Sequence, residues 1–232
     1  RSGPIPIQQP KGELEGLLTA SYPNVKLGHL VLPESLRRRL ERVVREQRSR
    51  DRLQSHGFEP QRKLLLVGPP GVGKTMTASA LASELALPLF AVQLDALITK
   101  MLGETAAKLR LIFEHIRKTR AVYLFDEFDA IGSERGQGHD VGEMRRVLNS
   151  FLQFVEQDES DSILVAATNH VQLLDRALFR RFDATLEYEL PSEDDAIEVM
   201  RNRLASLDTA KVEWQAVRRK TLGLSHAEVG AG

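Results

Sequence analysis

The sequence GPPGVGKT, at residues 68–75, constrains the fold of this 232-residue chain more than any other feature. It follows an apolar run at residues 64–67 and precedes a stretch with helical character at residues 75–86. Glycines in such a loop let main-chain N–H groups curl around phosphates, and the helix that follows presents its positive end to them. The spacing therefore predicts a loop that holds a nucleoside triphosphate between a strand and a helix.

Two side chains of this loop have specific expected tasks. Lys74 would reach the β- and γ-phosphates, and the hydroxyl of Thr75 would coordinate Mg²⁺. The alternative is a glycine-rich turn that contains Lys-Thr by coincidence, and the strand before it and the helix after it argue against that. The residues expected to contact the nucleotide are Pro69, Pro70, Gly71, Val72, Gly73, Lys74, Thr75, Met76 and Asp126.

The composition is that of an ordinary α/β protein, with 42% hydrophobic and 6% aromatic residues. The 32 basic residues balance the 32 acidic ones, so the chain lacks the charge surplus of a dedicated nucleic-acid binder. No apolar run reaches the ~18 residues that span a bilayer, and no cysteine is present for disulfides or thiolate–metal sites. We expect neither a nucleic-acid partner nor a membrane contact, and ATP dependence makes the cytoplasm the expected location.

Short apolar strands alternate with helical patterns from residue 64 onward. The predicted strands cover residues 64–67, 89–92, 121–125, 163–167 and 185–188, and the predicted helices cover residues 75–86, 105–118, 141–157, 173–179 and 192–206. This alternation predicts a parallel sheet covered by helices on both faces. Ser192 and Asp195 predict a capping box at the start of the last helix. Residues 1–28 are rich in Pro and Gly and indicate an arm or linker.

Residues 33–54 predict one helix, because an apolar stripe recurs at helical spacing and Pro33 stands at its start. One interpretation of its many arginines is a patch for nucleic acid or an acidic partner. The other is a solvated helix face with acids interspersed, which the zero net charge and the lack of interleaved aromatics favour. The arginines are Arg37, Arg38, Arg39, Arg42, Arg45, Arg48, Arg50 and Arg52.

Polar residues follow two of the predicted buried strands. Asp126 stands at the carboxyl end of strand 121–125, where ligands of parallel sheets bind, and would hold Mg²⁺ from its outer coordination sphere or through water. Glu127 is suited to orient and deprotonate the water that attacks the γ-phosphate. Asn169 follows strand 163–167 and would lie beside Glu127 if the two strands are neighbours, where its amide could position that water. For each residue, an ordinary polar turn is the alternative.

These motifs, in this order, resemble those of the AAA+ ATPases, and within them the AAA clade with a second region of homology. GPPGVGKT resembles the Walker A motif, VYLFDE the Walker B motif, AATNH the sensor 1 strand, and LLDRALFRRFDATLEY the arginine-finger box. The resemblance covers residues 30–228 and implies an α/β P-loop NTPase fold: a three-layer sandwich with a five-stranded parallel sheet, followed by a partial helical lid.

The resemblance also implies a division of the chain. Residues 1–28 would be the arm, residues 29–190 the large nucleotide-binding subdomain, and residues 191–232 the start of the small helical lid. Residues 221–232 resemble the segment that closes over the base and ribose, and the stretch near Leu30 matches the family's adenine contact. Family members continue through further lid helices, so we expect a truncated lid and, because the chain starts at Arg1, a fragment or processed product.

In this clade the nucleotide sits between subunits of a ring, usually a hexamer, and an arginine of one subunit completes the neighbour's site. Arg181 is the better match for that arginine and Arg180 the second. Ala184 stands where many members carry another arginine. His226 and Glu228 occupy positions often filled by Gly and Asp, and no role is assigned to them.

Residues 97–113 resemble the family segment that contains the substrate-gripping pore loop. Many translocating members have an aromatic residue where this chain has Met101, followed here by Leu102. Both are apolar and could grip an extended polypeptide, since methionine is flexible. Alternatively, they pack beneath the helix that starts at Thr105.

The resemblance implies an Mg²⁺-dependent ATPase that remodels, unfolds or threads a protein substrate. A second hypothesis is an ATP-controlled switch or scaffold that regulates a partner protease, toxin or nuclease. The missing pore aromatic and missing second arginine favour it, whereas the intact Asp126–Glu127 pair argues against an inactive scaffold. A third hypothesis is a DNA-acting loader that would use the arginine-rich helix.

Overall fold

Strands and helices alternate along the chain from residue 63 onward, as predicted. The computed structural model describes residues 9–97, 102–128, 140–170, 176–205, 207, 209, 212–221 and 223–231. Its strands are β1 (Leu18–Ser21), β2 (Lys63–Val67), β3 (Leu89–Val92), β4 (Val122–Phe125), β5 (Ile163–Thr168) and β6 (Ala184–Glu187). Its helices are α1 (Glu34–Arg48), α2 (Arg50–Gln54), α3 (Lys74–Leu85), α4 (Leu94–Leu97), α5 (Leu102–Lys118), α6 (Asp140–Gln157), α7 (Arg176–Phe179), α8 (Glu193–Arg203), α9 (Trp214–Lys220) and α10 (His226–Ala231).

The strands form one sheet in the order β1-β3-β4-β5-β2-β6. The five strands from β2 to β6 pair in parallel and match the five predicted strands to within one residue at each end. The α/β fold with a parallel sheet is therefore confirmed. Because these strands run in one direction, the carboxyl ends of β2, β4 and β5 lie at the same edge of the sheet.

A sixth strand, β1, extends the sheet beyond the five that the sequence predicts. It pairs antiparallel with β3, from Leu18 opposite Val92 to Ser21 opposite Leu89. Its side chains alternate, with Leu18 and Ala20 buried and the others exposed, as expected of a strand with one face on the core. A four-residue strand is too short to show this pattern clearly among prolines and glycines. Residues 18–21, predicted to lie in the arm, instead belong to the sheet.

Helices cover both faces of the sheet, so the molecule has the predicted three layers. Leu64 and Leu66 of β2 pack with α1 and α3 on one face. Leu65 and Val67 pack with α5 and α6 on the other. Successive strand residues point to opposite faces, and all residues of β4 and β5 are buried.

The arginine-rich segment forms two helices rather than the single predicted one, because the chain leaves helical geometry at Ser49 (φ −103°, ψ 18°). All six arginines of α1 contact groups of the fold itself. Three donate to main-chain carbonyl oxygens, namely Arg37 to Leu27 and Leu30, Arg39 to Thr185, and Arg48 to Glu84. Three others pair with a glutamate one turn away, namely Arg38 with Glu34, Arg42 with Glu46, and Arg45 with Glu41. These contacts agree with the interpretation of a solvated helix face.

Helices α8 to α10 follow the sheet. The predicted capping box of α8 is present: the hydroxyl of Ser192 accepts the Asp195 N–H at 3.1 Å, and the Asp195 carboxylate accepts the Ser192 N–H at 3.1 Å. Helix α8 contacts both α9 and α10. Among the helices of the described residues, none is long and apolar enough to cross a bilayer.

One titratable pair lies in the core, between α5 and β4. The Tyr123 hydroxyl donates to the Thr119 carbonyl oxygen at 2.9 Å, and His115 Nδ1 lies 2.7 Å from the same hydroxyl oxygen. When the phenol donates its one hydrogen to Thr119, the contact with His115 requires the tautomer that carries a hydrogen on Nδ1. Phe90 contacts the imidazole edge-on. Burial and, secondarily, the charge of Lys118 lower the pKa of His115.

We expect this histidine to make stability depend on pH. The folded state binds a proton at His115 less readily than the unfolded state does. The contribution of neutral His115 to the free energy of unfolding is therefore present above the unfolded pKa and is lost as pH falls below that pKa. The free energy of unfolding, measured by urea denaturation, should therefore fall between about pH 7.5 and about pH 5.5. In His115→Gln the fall should be smaller but not absent, because burial also lowers the pKa of His226.

The matched control is His56→Gln, which replaces an exposed histidine and should keep the wild-type pH dependence. Equal pH dependence in the wild type and in His115→Gln would contradict the assignment.

Candidate functional site

The loop between β2 and α3 forms the centre of the site. Helix α3 begins at Lys74, directly after Gly73, whose φ of 96° lies in the left-handed region that favours glycine. The N–H of Gly68 donates to the Thr168 carbonyl oxygen at 3.2 Å, which joins the start of the loop to the end of β5. The predicted strand–loop–helix arrangement is therefore present.

Lys74 connects the loop to the neighbouring strand. Its side chain is buried, and its Nζ donates to the carbonyl oxygens of Gly68 and Pro69, at 2.7 Å each. The same Nζ donates to Oδ1 of Asn169, also at 2.7 Å. Three acceptors hold one ammonium group at the loop, so its positive charge stands where a phosphate would bind.

Thr75 and Asp126 meet at the end of β4. The Thr75 hydroxyl donates to Oδ2 of Asp126 at 2.5 Å. A hydroxyl and a carboxylate are oxygen ligands, the type that Mg²⁺ prefers. The two residues predicted to hold the metal are thus in contact, although they lie 51 positions apart in the chain.

Glu127 has an unusual main-chain conformation for a residue with a side chain. Its φ is 50°, in the left-handed region, and its N–H donates to Oδ1 of Asp126 at 3.0 Å. Such conformations are uncommon outside glycine and concentrate at functional sites. The side chain is exposed and lines the same cavity as Asp126.

Asn169 follows β5 and lines the same cavity as Glu127. Strands β4 and β5 are adjacent and parallel, and both residues line one cavity. The contact between Asn169 and Lys74 was not predicted. Sequence reasoning places residues at strand ends, but it does not show which neighbour an amide will bond.

A cavity of about 750 Å³ extends from the loop to the lid helices. This volume suits a ligand of the size of a nucleotide. Of the predicted nucleotide contacts, residues 70–76 and Asp126 line it, whereas Pro69 contributes its carbonyl oxygen to Lys74. Leu30 and its neighbours also line the cavity, and the resemblance suggests an adenine contact near Leu30. Val199, Asn202 and Arg203 of α8 also line the cavity and were not predicted, since only the packing of the lid brings them there.

The lid is joined directly to the loop. The N–H of Ala227 donates to the Gly71 carbonyl oxygen at 3.0 Å. Gly71 has a φ of 75°, and a Cβ on it would lie 2.6 Å from Oγ of Ser225. Glu228 accepts the N–H and hydroxyl of Ser225 at 2.8 Å each, and these bonds lower the pKa of its carboxyl group. The absence of a side chain at Gly71 thus allows the start of α10 to approach the loop closely.

The two candidate finger residues lie apart from this cavity. Neither Arg180 nor Arg181 lines it. Arg180 is exposed, and the guanidinium of Arg181 lies 3.3 Å from a carboxylate oxygen of Glu156 on α6. Met101 lies outside the described residues, as does the side chain of Leu102, so the pore-loop assignment stays a prediction.

Comparison with known proteins identifies the family of this site. The family model described as "ATPase family associated with various cellular activities (AAA)" matches residues 64–190. This segment contains the loop, the Asp126–Glu127 pair, Asn169 and both arginines of the finger box.

Individual relatives give the same assignment. The chain is 46% identical over 149 residues to an uncharacterized AAA family ATPase, y4kL, of Sinorhizobium fredii, covering 64% of this chain and 45% of that protein. It is 31% identical over 228 residues to the ATP-dependent zinc metalloprotease FtsH of Helicobacter pylori, covering 94% of this chain and 36% of that protein. It is 33% identical over 222 residues to the FtsH of Acidothermus cellulolyticus, covering 92% and 33%.

The chain therefore spans between about a third and a half of the length of these curated relatives. The site has a buried lysine at a glycine-rich loop and a hydroxyl–carboxylate pair beside it. The family model matches more than half of the sequence. The chain therefore belongs to the AAA family and is an ATP-hydrolysing enzyme.

Proposed function

We propose that this chain is the motor portion of a ring-forming AAA ATPase, which uses Mg²⁺-dependent ATP hydrolysis to remodel, unfold or thread a protein substrate in the cytoplasm. The observation that carries the proposal is the convergence of Lys74, the Thr75–Asp126 pair, Glu127 and Asn169 on one cavity. These groups supply a cation, metal ligands, a base and a water-positioning amide, which are the parts that phosphoryl transfer needs.

Magnesium fits the residues present. The Thr75 hydroxyl and the Asp126 carboxylate are adjacent oxygen donors at the mouth of the loop. Mg²⁺ usually keeps several water ligands, so the Asp126 carboxylate would hold it directly or through water. When bound, the metal supplies neutralisation of phosphate charge.

In this proposal the protein side chains divide the work of hydrolysis. Lys74 exchanges its contacts with loop carbonyl oxygens for the phosphate oxygens, where its charge stabilises the transferring group. Glu127 accepts a proton from a water whose oxygen bonds to the γ-phosphorus, while the bond from that phosphorus to the bridging oxygen of ADP breaks. Asn169 positions the same water. Because its amide also bonds Lys74, its position depends on whether the γ-phosphate is present.

The proposed ring rests on the location of Arg181. The residue does not line the cavity of its own chain, so its position supports a role in the site of a neighbouring subunit. Its ion pair with Glu156 is partly exposed, with 31% and 63% of the two side chains accessible. Exposed pairs of this kind are worth about 1 kcal/mol or less, so the guanidinium can leave Glu156 at little cost.

A protein substrate is the class that the comparisons favour. Relatives that align with most of this chain are named as ATP-dependent proteases, whose substrates are polypeptides. We propose that Met101 and Leu102 contact the substrate, because both are apolar and stand where the resemblance places the pore loop.

The ATP-controlled switch remains the second candidate, and one observation favours it. Ala184 stands where many members carry a second arginine. It is buried in β6 and pairs with Leu64, so this position belongs to the sheet rather than to an exposed interface. A chain with one finger arginine can still hydrolyse ATP, but its subunits would be coupled less strongly.

Replacement of Glu127 by Gln tests the assignment of the base. We expect ATP to remain bound while phosphate release falls by roughly 10²–10⁴-fold, because an amide cannot take up the proton. Glu114→Gln, which changes an exposed glutamate on α5, is the matched control and should keep normal turnover. Turnover of Glu127→Gln at the wild-type rate would refute the assignment.

A mixing experiment tests the ring and the role of Arg181. Lys74→Ala and Arg181→Ala should each be inactive alone, with the loss of the finger costing about 10³- to 10⁵-fold. When the two variants are mixed, phosphate release should rise, because some interfaces then combine an intact Lys74 with an intact Arg181 from the neighbour.

The control mixture combines Lys74→Ala with Glu127→Gln. Each substitution alters the cavity of the subunit that carries it, so no complete site can form and activity should not recover. Full activity of Arg181→Ala, or no gain in the first mixture, would contradict the shared site.

The substrate class can be tested with casein as an unfolded polypeptide. We expect casein to stimulate the ATPase activity of the wild type, and the double variant Met101→Ala with Leu102→Ala to keep basal activity without stimulation. Equal stimulation of both proteins would contradict the gripping role. If casein does not stimulate the wild type, the switch hypothesis is favoured instead.

A further inference from the structure

The residues that line the cavity fall into two groups, which we use to define a phosphate end and a second end. The loop, Asp126, Glu127 and Asn169 define the first. The second is lined by residues 28–32, by α8 and by the start of α10. A nucleotide whose phosphates occupy the loop must place its base and ribose toward this second end, since it is the remaining space of the same cavity.

His226 is a polar side chain at that second end, and no hydrogen bond of good geometry satisfies its ring nitrogens. Both Nδ1 and Nε2 are buried, and by hydrogen-bond geometry neither has a partner. The main chain of Val31 and the charge of Asp195 lie near enough to favour the protonated ring, but burial outweighs them and lowers the pKa of His226. The neutral imidazole has one N–H donor and one acceptor.

The position of this imidazole is fixed relative to the phosphate loop. The next residue, Ala227, donates its N–H to the Gly71 carbonyl oxygen at 3.0 Å. His226 is the first residue of α10, and both His226 and Ala227 line the cavity. The contact between lid and loop therefore holds the ring at the cavity wall, one residue before the hydrogen bond from Ala227 to the loop.

We infer that His226 hydrogen-bonds the nucleoside half of the bound nucleotide and so contributes to the recognition of base and ribose. Buried polar groups that lack a partner are costly, and a nucleoside offers both donors and acceptors to a neutral imidazole. The inference deepens the function proposed above and rests on nucleotide binding at the loop. It assigns a role to a position that sequence analysis left without one.

A purely structural role is the alternative, in which the ring only packs the lid against residues 28–32. Two substitutions separate these roles. His226→Phe keeps an aromatic ring of similar size but removes both nitrogens. His226→Gln keeps a donor and an acceptor in a side chain of similar reach.

The test compares ADP with pyrophosphate, which lacks the nucleoside, by calorimetry in the presence of Mg²⁺. Neither ligand can be hydrolysed at the γ-position, so only binding is measured. His226→Phe should weaken ADP binding by about threefold to tenfold, the size of one hydrogen bond, and leave pyrophosphate binding unchanged. His226→Gln should retain most of the ADP affinity. His56→Phe, at an exposed histidine outside the cavity, should bind both ligands as the wild type does.

Each other outcome has a definite meaning. An unchanged ratio of ADP to pyrophosphate affinity in His226→Phe would overturn the inference. An equal loss of affinity for both ligands is one such result, and it would indicate that His226 supports the loop. If the wild type binds neither ligand, the proposed function itself fails. If the wild type binds both and only the His226→Phe result is negative, the inference alone fails.

Discussion

The carboxyl ends of three parallel strands meet at one edge of the sheet, and the arrangement of the site depends on this constraint. β2 leads into the loop and Lys74, β4 ends before Asp126, and β5 ends before Asn169. Because helices pack on both faces of the sheet, a change of strand register would disrupt the packing of side chains in both layers. The packing of the core thus determines how closely charged groups from distant parts of the chain approach each other.

The Lys74 ammonium joins these parts electrostatically. Its Nζ donates to carbonyl oxygens of the loop and to Asn169, which follows β5. One charged group therefore contacts both the loop and the end of β5. The lid adds a second connection through the bond from Ala227 to Gly71. A ligand at the loop therefore touches a network that extends to the sheet and to α10.

Features that rest on local pattern were predicted well, and features that rest on packing were not. The capping box at Ser192 and the five parallel strands follow from local residue types. β1 was missed because four residues carry little periodic signal, and its stability comes from pairing with β3. The break at Ser49 was missed because the arginine-rich stripe continues through it.

The sequence by itself determined the chemistry of this protein: a glycine loop with Lys74, a strand followed by Asp126 and Glu127, and their order along the chain. These depend on residue type and short spacing, which a linear pattern contains. Only the tertiary structure decided that Asn169 bonds Lys74 and that His226 faces the nucleotide cavity. Such contacts join residues far apart in the chain, and their geometry follows from how helices and strands pack rather than from any local preference.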